Sequence, residues 1–107
     1  MPSKYKYFLT PLAVSDIDEA LAYISGDLAS PTAAVNLLSQ IEETIDRSCS
    51  FPLAYPDCSY FMIQDKNIRH APIKNYLLFY EVDENRACIR ILRFRYSAMD
   101  LTKIELK

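Results

Sequence analysis

The amino-acid sequence predicts an α+β fold in which a helical hairpin packs on a mostly antiparallel sheet, with the elements in the order β-α-α-β-β-β. Apolar residues recur at helical spacing through the first half of the chain, while β-branched and aromatic residues dominate three segments of the second half. The chain has 107 residues, of which 50% are hydrophobic, so residues 1–107 are predicted to form one domain with one compact core.

The first segment predicts a strand followed by a helix. Residues 5–9 alternate as a strand does, and Thr10-Pro11 is a helix start signal, with an N-cap threonine before a proline at the first helical position. The apolar residues that follow lie on one stripe of an amphipathic helix: Val14, Ile17, Leu21, Ile24 and Leu28. Asp16, Asp18 and Glu19 fall off this stripe, near the helix N-terminus that favours negative charge. We expect the helix to end around residues 26–29.

A second helix is predicted to follow at once. Ser30-Pro31 repeats the start signal, and the apolar side of the helix consists of Ala34, Leu37, Leu38, Ile41 and Ile45. Its other side carries Gln40, Glu42, Glu43 and Asp46. The short joint between the two helices predicts an antiparallel hairpin. Because two prolines interrupt the next segment, residues 51–67 are expected to be a connection with one short helical turn around residues 60–63.

In the second half of the chain, the spacing of the apolar residues changes from that of helices to that of strands. Residues 68–74, 76–82 and 87–94 are rich in β-branched and aromatic types, and polar joints separate them. The middle segment begins Tyr-Leu-Leu-Phe-Tyr at residues 76–80, which is apolar on both faces. A strand that is covered on both faces belongs in the centre of a sheet, so we expect the helices on one face and other material on the second.

Composition excludes several classes of protein. A single glycine is incompatible with a Gly-rich phosphate loop, and no stretch approaches the about 18 uninterrupted apolar residues of a membrane span. The segment before the first strand lacks the apolar region of a signal peptide, so a cytoplasmic location is expected. The three cysteines (Cys49, Cys58 and Cys88) include no CxxC pair, and His70 is the only histidine. We therefore predict reduced thiols, no metal site and no cofactor.

Charge is distributed unevenly along the chain. Residues 1–65 carry three Lys/Arg and nine Asp/Glu, a net charge of −6, whereas residues 66–107 carry nine and five, a net charge of +4. This asymmetry predicts an acidic helical half and a basic working half, and we expect the basic excess of residues 66–96 to form part of the partner surface. Its basic residues between positions 66 and 96 are Lys66, Arg69, Lys74, Arg86, Arg90, Arg93 and Arg95. The overall charge of −2 nevertheless argues against a dedicated nucleic-acid binder.

Taken together, these segments resemble the RelE/ParE toxins over nearly the whole chain. The resemblance lies in six segments: residues 9–17, residues 30–34, Phe51-Pro52, Arg69, residues 73–80 and the closing basic strand at residues 91–95. It implies the toxin half of a type II toxin–antitoxin (plasmid stabilisation) pair. It also implies a cognate antitoxin as partner, which wraps the toxin, silences it and could form a hetero-oligomer with it.

The superfamily divides in function, and the resemblance leaves two targets open. RelE-like members are ribosome-dependent mRNA endoribonucleases, in which cations stabilise the developing phosphorane charge and another group moves a proton. ParE-like members are not nucleases, and they are thought to inhibit DNA gyrase. The charge balance and a missing histidine near the closing strand favour the ParE-like reading. A third reading is an orphan binding module without toxicity.

If the chain is RelE-like, the resemblance assigns catalytic positions to residues of the basic half. The cationic positions are Arg69, Lys74, Arg93 and Arg95, and Tyr96 would supply the acid or base. Four of these residues have an alternative structural interpretation. Arg69 and Arg93 could pair with acidic groups of the helices or of the antitoxin, and Lys74 could be a solvated turn residue. Tyr96 suits either packing or a proton relay.

Overall fold

The computed structural model describes residues 4–61, 63, 65–98, 104 and 106. Its elements are β1 (Lys6–Leu9), α1 (Pro11–Ala22), a π-helical turn (Tyr23–Asp27), α2 (Pro31–Ser50), a 3-10 turn (Ser59–Phe61), β2 (Ile68–Ile73), β3 (Tyr76–Asp83) and β4 (Cys88–Tyr96). The predicted α+β class and the order β-α-α-β-β-β are confirmed. The turn predicted at residues 60–63 lies one residue earlier, and Met62 of that prediction is outside the described residues.

The four strands form one mixed sheet in the order β1-β4-β3-β2. The pairs β2–β3 and β3–β4 are antiparallel, whereas β1 runs parallel to β4, with Lys6 beside Cys88 and Leu9 beside Ile91. The strand β3 lies between two neighbours, as its apolar composition predicts. The parallel pair joins the first strand of the chain to the last, so the N-terminal segment is held by residues that follow it by about 80 positions.

Two groups of buried residues cover the two faces of the sheet. The larger lies under the helices and joins Leu37, Ile41 and Ile45 of α2 to Leu78 and Tyr80 of β3. The smaller lies on the opposite face, which we call the far face; its buried members are Cys58, Ile68, Phe79 and Leu92. Phe61, Ile63, Ile104 and Leu106 pack against that smaller group. Connection and tail residues are thus the additional material predicted for the second face.

The buried side of α1 differs from the predicted stripe. Its buried residues are Ala13, Asp16, Ile17 and Ala20, while Leu21 and Ile24 pack only partly against the core. Val14 and Leu28 are exposed, so their predicted burial is wrong. The buried row follows positions 13, 16, 17 and 20, and Val14 lies beside this row because each residue turns the helix by about 100°. The π-helical turn then adds a residue to the last turn, and this removes Leu28 from the helical register.

The buried side of α2 matches its prediction except at one position. Ala34, Leu37, Ile41 and Ile45 are buried as expected, and the same side continues through Ser48 and Cys49. Leu38 was expected in the core but is 39% exposed, so that expectation is wrong. The buried row follows positions 37, 41, 44 and 48, and Leu38 lies at its border because each residue turns the helix by about 100°.

Thr10 fixes the junction between β1 and α1. Its hydroxyl accepts a hydrogen bond from the Ala13 N–H (3.2 Å) and donates one to the Leu92 carbonyl (3.0 Å). The N-cap predicted from the sequence is therefore present, and it also ties the start of the helix to β4. At the start of α2, Pro31 occupies the expected position, but within the described part of the chain the Ser30 side chain makes no capping bond.

This difference predicts unequal effects of two cap substitutions. Thr10→Ala is expected to lower the free energy of unfolding by about 1–2 kcal/mol, because it removes a capping bond. Ser30→Ala is the matched control and should change it by less than about 0.5 kcal/mol. Urea denaturation of both variants beside the wild type measures the difference. Equal effects of the two substitutions would contradict the assigned role of Thr10.

Candidate functional site

The candidate site lies beside β4, at the point where the pairing of β1 with β4 ends and α1 contacts the edge of the sheet instead. Because β1 ends at Leu9 beside Ile91, the next part of β4 has no strand on that side within the described chain. Asp16 of α1 fills this place, and its carboxylate accepts a hydrogen bond from the Phe94 N–H (3.1 Å). A helix carboxylate therefore supplies the acceptor that a neighbouring strand would otherwise offer.

Two arginines of β4 converge on the same carboxylate. The Arg93 guanidinium donates from Nε to Asp16 Oδ2 (2.7 Å) and from Nη2 to Oδ1 (3.1 Å), which is a bidentate pair. Arg95 Nη1 donates to Asp16 Oδ1 (3.2 Å). The Asp16 side chain is 5% exposed and that of Arg93 is 13% exposed. One buried carboxylate thus accepts hydrogen bonds from two neighbouring guanidinium groups.

The surroundings of Asp16 determine its ionisation. Burial raises the pKa of a carboxyl group, but the hydrogen bonds from Arg93 and from the Phe94 N–H oppose it, together with the charges of Arg93 and Arg95. The net effect is a pKa of Asp16 below its ordinary value. Asp16 is therefore ionised at neutral pH, and the ion pairs with both arginines are present there.

An open cleft of about 180 Å³ lies beside this ion cluster. Its lining includes Glu19 and Tyr23 from the helical side and Tyr76, Arg95 and Tyr96 from the strands. A second cleft of about 530 Å³ shares the three tyrosines and extends past Ile24, Leu28 and Asn75. The ends of β3 and β4 and the π-helical turn therefore form one largely apolar surface depression with three phenol groups.

Tyr96, the predicted acid or base, lies on the rim of this depression. It is half-exposed and packs edge-on against Tyr76, with ring centroids 5.6 Å apart, and Tyr76 in turn stacks on Phe94 at 4.7 Å. Burial raises the pKa of Tyr76, and the neighbouring Tyr23 and Tyr96 add to that rise. These rings give Tyr96 a packing role, and its position on the rim also leaves it reachable from solvent.

Lys74 lies at the turn that joins β2 to β3. Its backbone has a φ of 54°, in the left-handed region, and the residue is exposed. The adjoining Asn75 carbonyl accepts hydrogen bonds from the N–H and the hydroxyl of Ser97, both at 2.8 Å. Lys74 therefore stands at the same end of the sheet as Tyr96, on a turn that is tied to the end of β4.

Arg69 does not join this group. It lies in β2 opposite Tyr80, and its Nη1 donates to the carbonyls of Tyr55 (2.6 Å) and Leu53 (3.3 Å). The Tyr80 hydroxyl donates to the neighbouring Pro52 carbonyl (2.8 Å). Arg69 and Tyr80 thus hold the connection after α2 against the sheet. Of the five predicted catalytic residues, Arg93, Arg95 and Tyr96 lie close together, Lys74 lies at the same end of the sheet, and Arg69 lies apart from them.

Most of the basic residues predicted for the partner surface have acidic neighbours within the chain. In addition to the two arginines at Asp16, three pairs are formed: Lys66–Asp57 (3.4 Å), Arg90–Glu81 (3.5 Å) and Arg86–Asp83 (3.8 Å). The positive charge of this half is therefore largely balanced locally. An exposed pair contributes little to stability, but it does reduce the field that a partner experiences.

His70 and the cysteines take structural positions. His70 Nδ1 lies 3.6 Å from Cys58 Sγ, and its ring packs edge-on against Phe61. Burial lowers the pKa of His70 despite the nearby Asp57, and burial raises the pKa of Cys58 to about 12. All three cysteines are buried and unpaired with one another. Within the described residues, no group of three or more His, Cys, Asp or Glu side chains could hold a metal ion.

Sequence reasoning missed Asp16 as a member of the site. Its position near the start of α1 indicated a solvated acid, whereas the structure buries it against β4. A signal was present in the other half of the chain. Arg93 and Arg95 flank the apolar Phe94 near the end of a largely apolar strand, and guanidinium groups that lose contact with solvent require a counter-charge.

The fold is that of the RelE/ParE superfamily. A solved structure described as the chromosomal ParDE toxin–antitoxin system from P. aeruginosa superposes with a TM-score of 0.67, at 16% identity, covering 87% of this chain and 96% of that one. The toxin–antitoxin complex RelBE2 from Mycobacterium tuberculosis superposes with a TM-score of 0.58, also at 16% identity, covering 88% and 99%. At these identities the likeness establishes the fold alone.

The chain belongs to the ParE toxin family. The family model described as the ParE toxin of the type II toxin–antitoxin system parDE matches residues 7–101. A search of curated proteins finds no match. None of the helices in the described part of the chain is long and apolar enough to cross a membrane.

Proposed function

We propose that this ParE toxin inhibits DNA gyrase in the cytoplasm and that a cognate antitoxin neutralises it by direct contact. Membership of the ParE family makes it the toxin of a type II system. The two superposed solved structures are described as toxin–antitoxin systems, which supports a hetero-oligomer with the antitoxin as the resting form of this chain as well.

The observation that carries the choice of target is the ion cluster at Asp16. Cleavage of RNA requires cations that are available to the phosphate as charge develops on it. Arg93 and Arg95 instead point to a buried carboxylate in their own chain, and Arg69 points to backbone carbonyls. Withdrawing Arg93 would break its bidentate pair with the buried Asp16 carboxylate, which costs several kcal/mol. This arrangement favours a non-nucleolytic toxin.

A supercoiling assay with purified gyrase tests the proposal directly. The purified chain is expected to inhibit supercoiling in a concentration-dependent manner, and an equimolar amount of the protein encoded beside it should restore the activity. In a bacterial host, induction of the chain alone should stop growth and raise the DNA damage response. Uninhibited gyrase at a concentration of the chain that arrests growth would rule out this target.

The alternative function, ribosome-dependent mRNA cleavage, makes a different prediction for Tyr96. Tyr96→Phe removes only a hydroxyl, so a proton relay would be lost and cleavage would fall by about 100-fold or more. We expect instead that Tyr96→Phe and Arg69→Ala remain toxic and that primer extension detects no cut transcripts. Arg93→Ala is a poor choice for this test, because it disrupts the buried pair with Asp16. Cut transcripts that disappear with Tyr96→Phe would establish the ribonuclease.

A further inference from the structure

The connection after α2 begins with residues 51–56, which we call the connection loop. Its first half is tied to α2 and to β3. The Phe51 N–H donates to the Arg47 carbonyl (2.8 Å), and the Ala54 N–H donates to the Phe51 carbonyl (3.1 Å). The Tyr80 hydroxyl of β3 donates to the Pro52 carbonyl (2.8 Å). Two different elements therefore fix the backbone where the loop leaves the helix.

The second half of the connection loop is tied to β2. The Arg69 guanidinium donates to the carbonyls of Leu53 and Tyr55. The next residue of β2, His70, donates its N–H to the Pro56 carbonyl (3.1 Å). The two prolines of the loop restrict its backbone further. A loop that is fixed in this way has little conformational freedom left to lose when it binds a partner.

The fixed loop presents apolar side chains to solvent. Phe51 is 65% exposed, more than any other large apolar side chain of the described residues, and Leu53 is 53% exposed. Ala54 and Pro56 are exposed as well. A flexible loop could fold such groups back onto the protein, but this backbone is held in place. Neighbouring apolar side chains on a rigid backbone are typical of an interface, where buried aromatic anchors provide most of the affinity.

The charge beside the loop is positive. The loop itself contains no charged residue, and the exposed Arg47 places its guanidinium next to it by donating to the Tyr55 hydroxyl (3.3 Å). No carboxylate of the described residues, including that of Glu43 one helical turn earlier, lies within salt-bridge distance of Arg47. The carboxylates of Asp46 and Asp57 pair with lysines instead. An arginine beside aromatic and aliphatic groups, with its charge unpaired, matches the composition of interface cores.

These properties define the chemistry of the partner. An apolar pocket bordered by a carboxylate would accept the loop and complement Arg47. Nucleic acid is a poorer fit, because phosphate binding uses several cations and this surface offers one exposed cation. A preformed surface also suits a partner that is itself folded, since the two can dock with little rearrangement, whereas a segment that orders on binding adapts to the surface that it meets.

We propose that the connection loop is the surface with which this toxin contacts gyrase. Phe51 and Leu53 enter an apolar pocket of the enzyme, and Arg47 pairs with a carboxylate at the border of that pocket. The identity of the enzyme rests on the proposed function. Arg69 positions the loop without contacting the partner, so Arg69→Ala leaves both apolar side chains and the remaining backbone bonds in place.

Replacing both exposed apolar side chains tests the proposal. The double variant Phe51→Ser, Leu53→Ser is expected to need at least about tenfold more protein for half-inhibition of supercoiling, because it removes the anchors. Val35→Ser is the matched control, since Val35 is 63% exposed near the other end of α2, and it should inhibit as the wild type does. Urea denaturation checks that both variants are folded. Equal inhibition by the double variant and the control would overturn the proposal.

A second pair of variants tests the charge. Arg47→Gln can still donate to Tyr55 but carries no charge, so inhibition is expected to weaken about threefold or more at low salt, with a smaller difference at high salt. Arg86→Gln is the control, because Asp83 already balances the charge of Arg86, and it should inhibit as the wild type does. Equal inhibition by the two glutamine variants would overturn the proposed carboxylate contact.

Oxidative footprinting of the unmodified chain needs no substitution. Hydroxyl-radical oxidation of Phe51 is expected to fall several-fold when gyrase is in excess, because its ring leaves solvent, whereas oxidation of Tyr23 on the π-helical turn should not change. Unchanged oxidation of Phe51 in a gyrase complex would overturn the proposal even if the double variant failed to fold.

Growth arrest and antitoxin binding separate this proposal from the proposed function. Expressed alone, the double variant is expected not to arrest growth, and calorimetric titration should show that it binds the antitoxin as the wild type does. A double variant that arrests growth, or that instead loses the antitoxin, would overturn the proposal. A wild-type chain that arrests growth without inhibiting gyrase would refute the proposed target and, with it, gyrase as the partner of the loop.

Discussion

Asp16→Asn is expected to lower the free energy of unfolding by about 3–5 kcal/mol at neutral pH, because it removes the charge of the buried carboxylate that pairs with the partly buried guanidinium groups of Arg93 and Arg95. Asparagine keeps the shape of the side chain and removes the charge, so the change reports on electrostatics rather than on packing. Urea denaturation measures the loss. Asp18→Asn on the exposed part of the same helix is the matched control, with an expected change within about 0.5 kcal/mol.

The loss of stability in Asp16→Asn is expected to depend on pH. The pKa of Asp16 is lowered in the folded chain, so its contribution to stability is present above the pKa of the unfolded carboxyl, about 3.9, and is lost as the pH falls through the folded value. The difference in stability between wild type and Asp16→Asn should therefore be largest near neutral pH and should shrink in acid below about pH 4. A difference that stays constant from pH 7 to pH 3 would contradict the ionised carboxylate of Asp16 as the source of the lost stability.

Ile41→Ala is expected to lower the free energy of unfolding by about 2–5 kcal/mol, since Ile41 is only 2% exposed and packs between α2 and the sheet. Leu38→Ala removes a side chain of similar size three residues earlier in the same helix, at a position that is 39% exposed. Its expected cost is below about 1 kcal/mol. Urea denaturation at constant m-value compares the two variants. Similar losses would mean that α2 packs with the face originally predicted from its apolar spacing.

Local signals in the sequence predicted most of the fold. Thr10-Pro11 and Ser30-Pro31 mark the two helix starts correctly, because a proline at the first helical position acts within one turn. The doubly apolar segment at residues 76–80 predicted a central strand for the same kind of reason, since both of its faces must be covered. Each of these signals depends on neighbours a few residues away.

The site could be predicted only in part, because its geometry depends on residues distant in sequence. Asp16 and Arg93 are 77 residues apart, and nothing near Asp16 indicates that α1 replaces a strand at the edge of β4. The π-helical turn could not be predicted either, because Tyr23–Asp27 contains no proline that would indicate an irregular helix. Its effect is seen in the structure, where Leu28 lies outside the core. The sequence of β4 identified Arg93 and Arg95 as candidates, but their partner Asp16 could be identified only from the tertiary structure.

The parallel pairing of β1 with β4 has a consequence for how the chain is made. The first strand can find its place only after the last strand has been synthesised, and Thr10 bonds to Leu92, 82 residues later. At about 5–20 residues per second, translation of that interval takes on the order of 4–16 s. During this time the nascent chain lacks both the strand beside β1 and the arginines for Asp16, so an incomplete polypeptide cannot close the sheet. The complete sheet, and the fold that depends on it, can therefore form only after β4 has been synthesised, which means after translation has reached about residue 96.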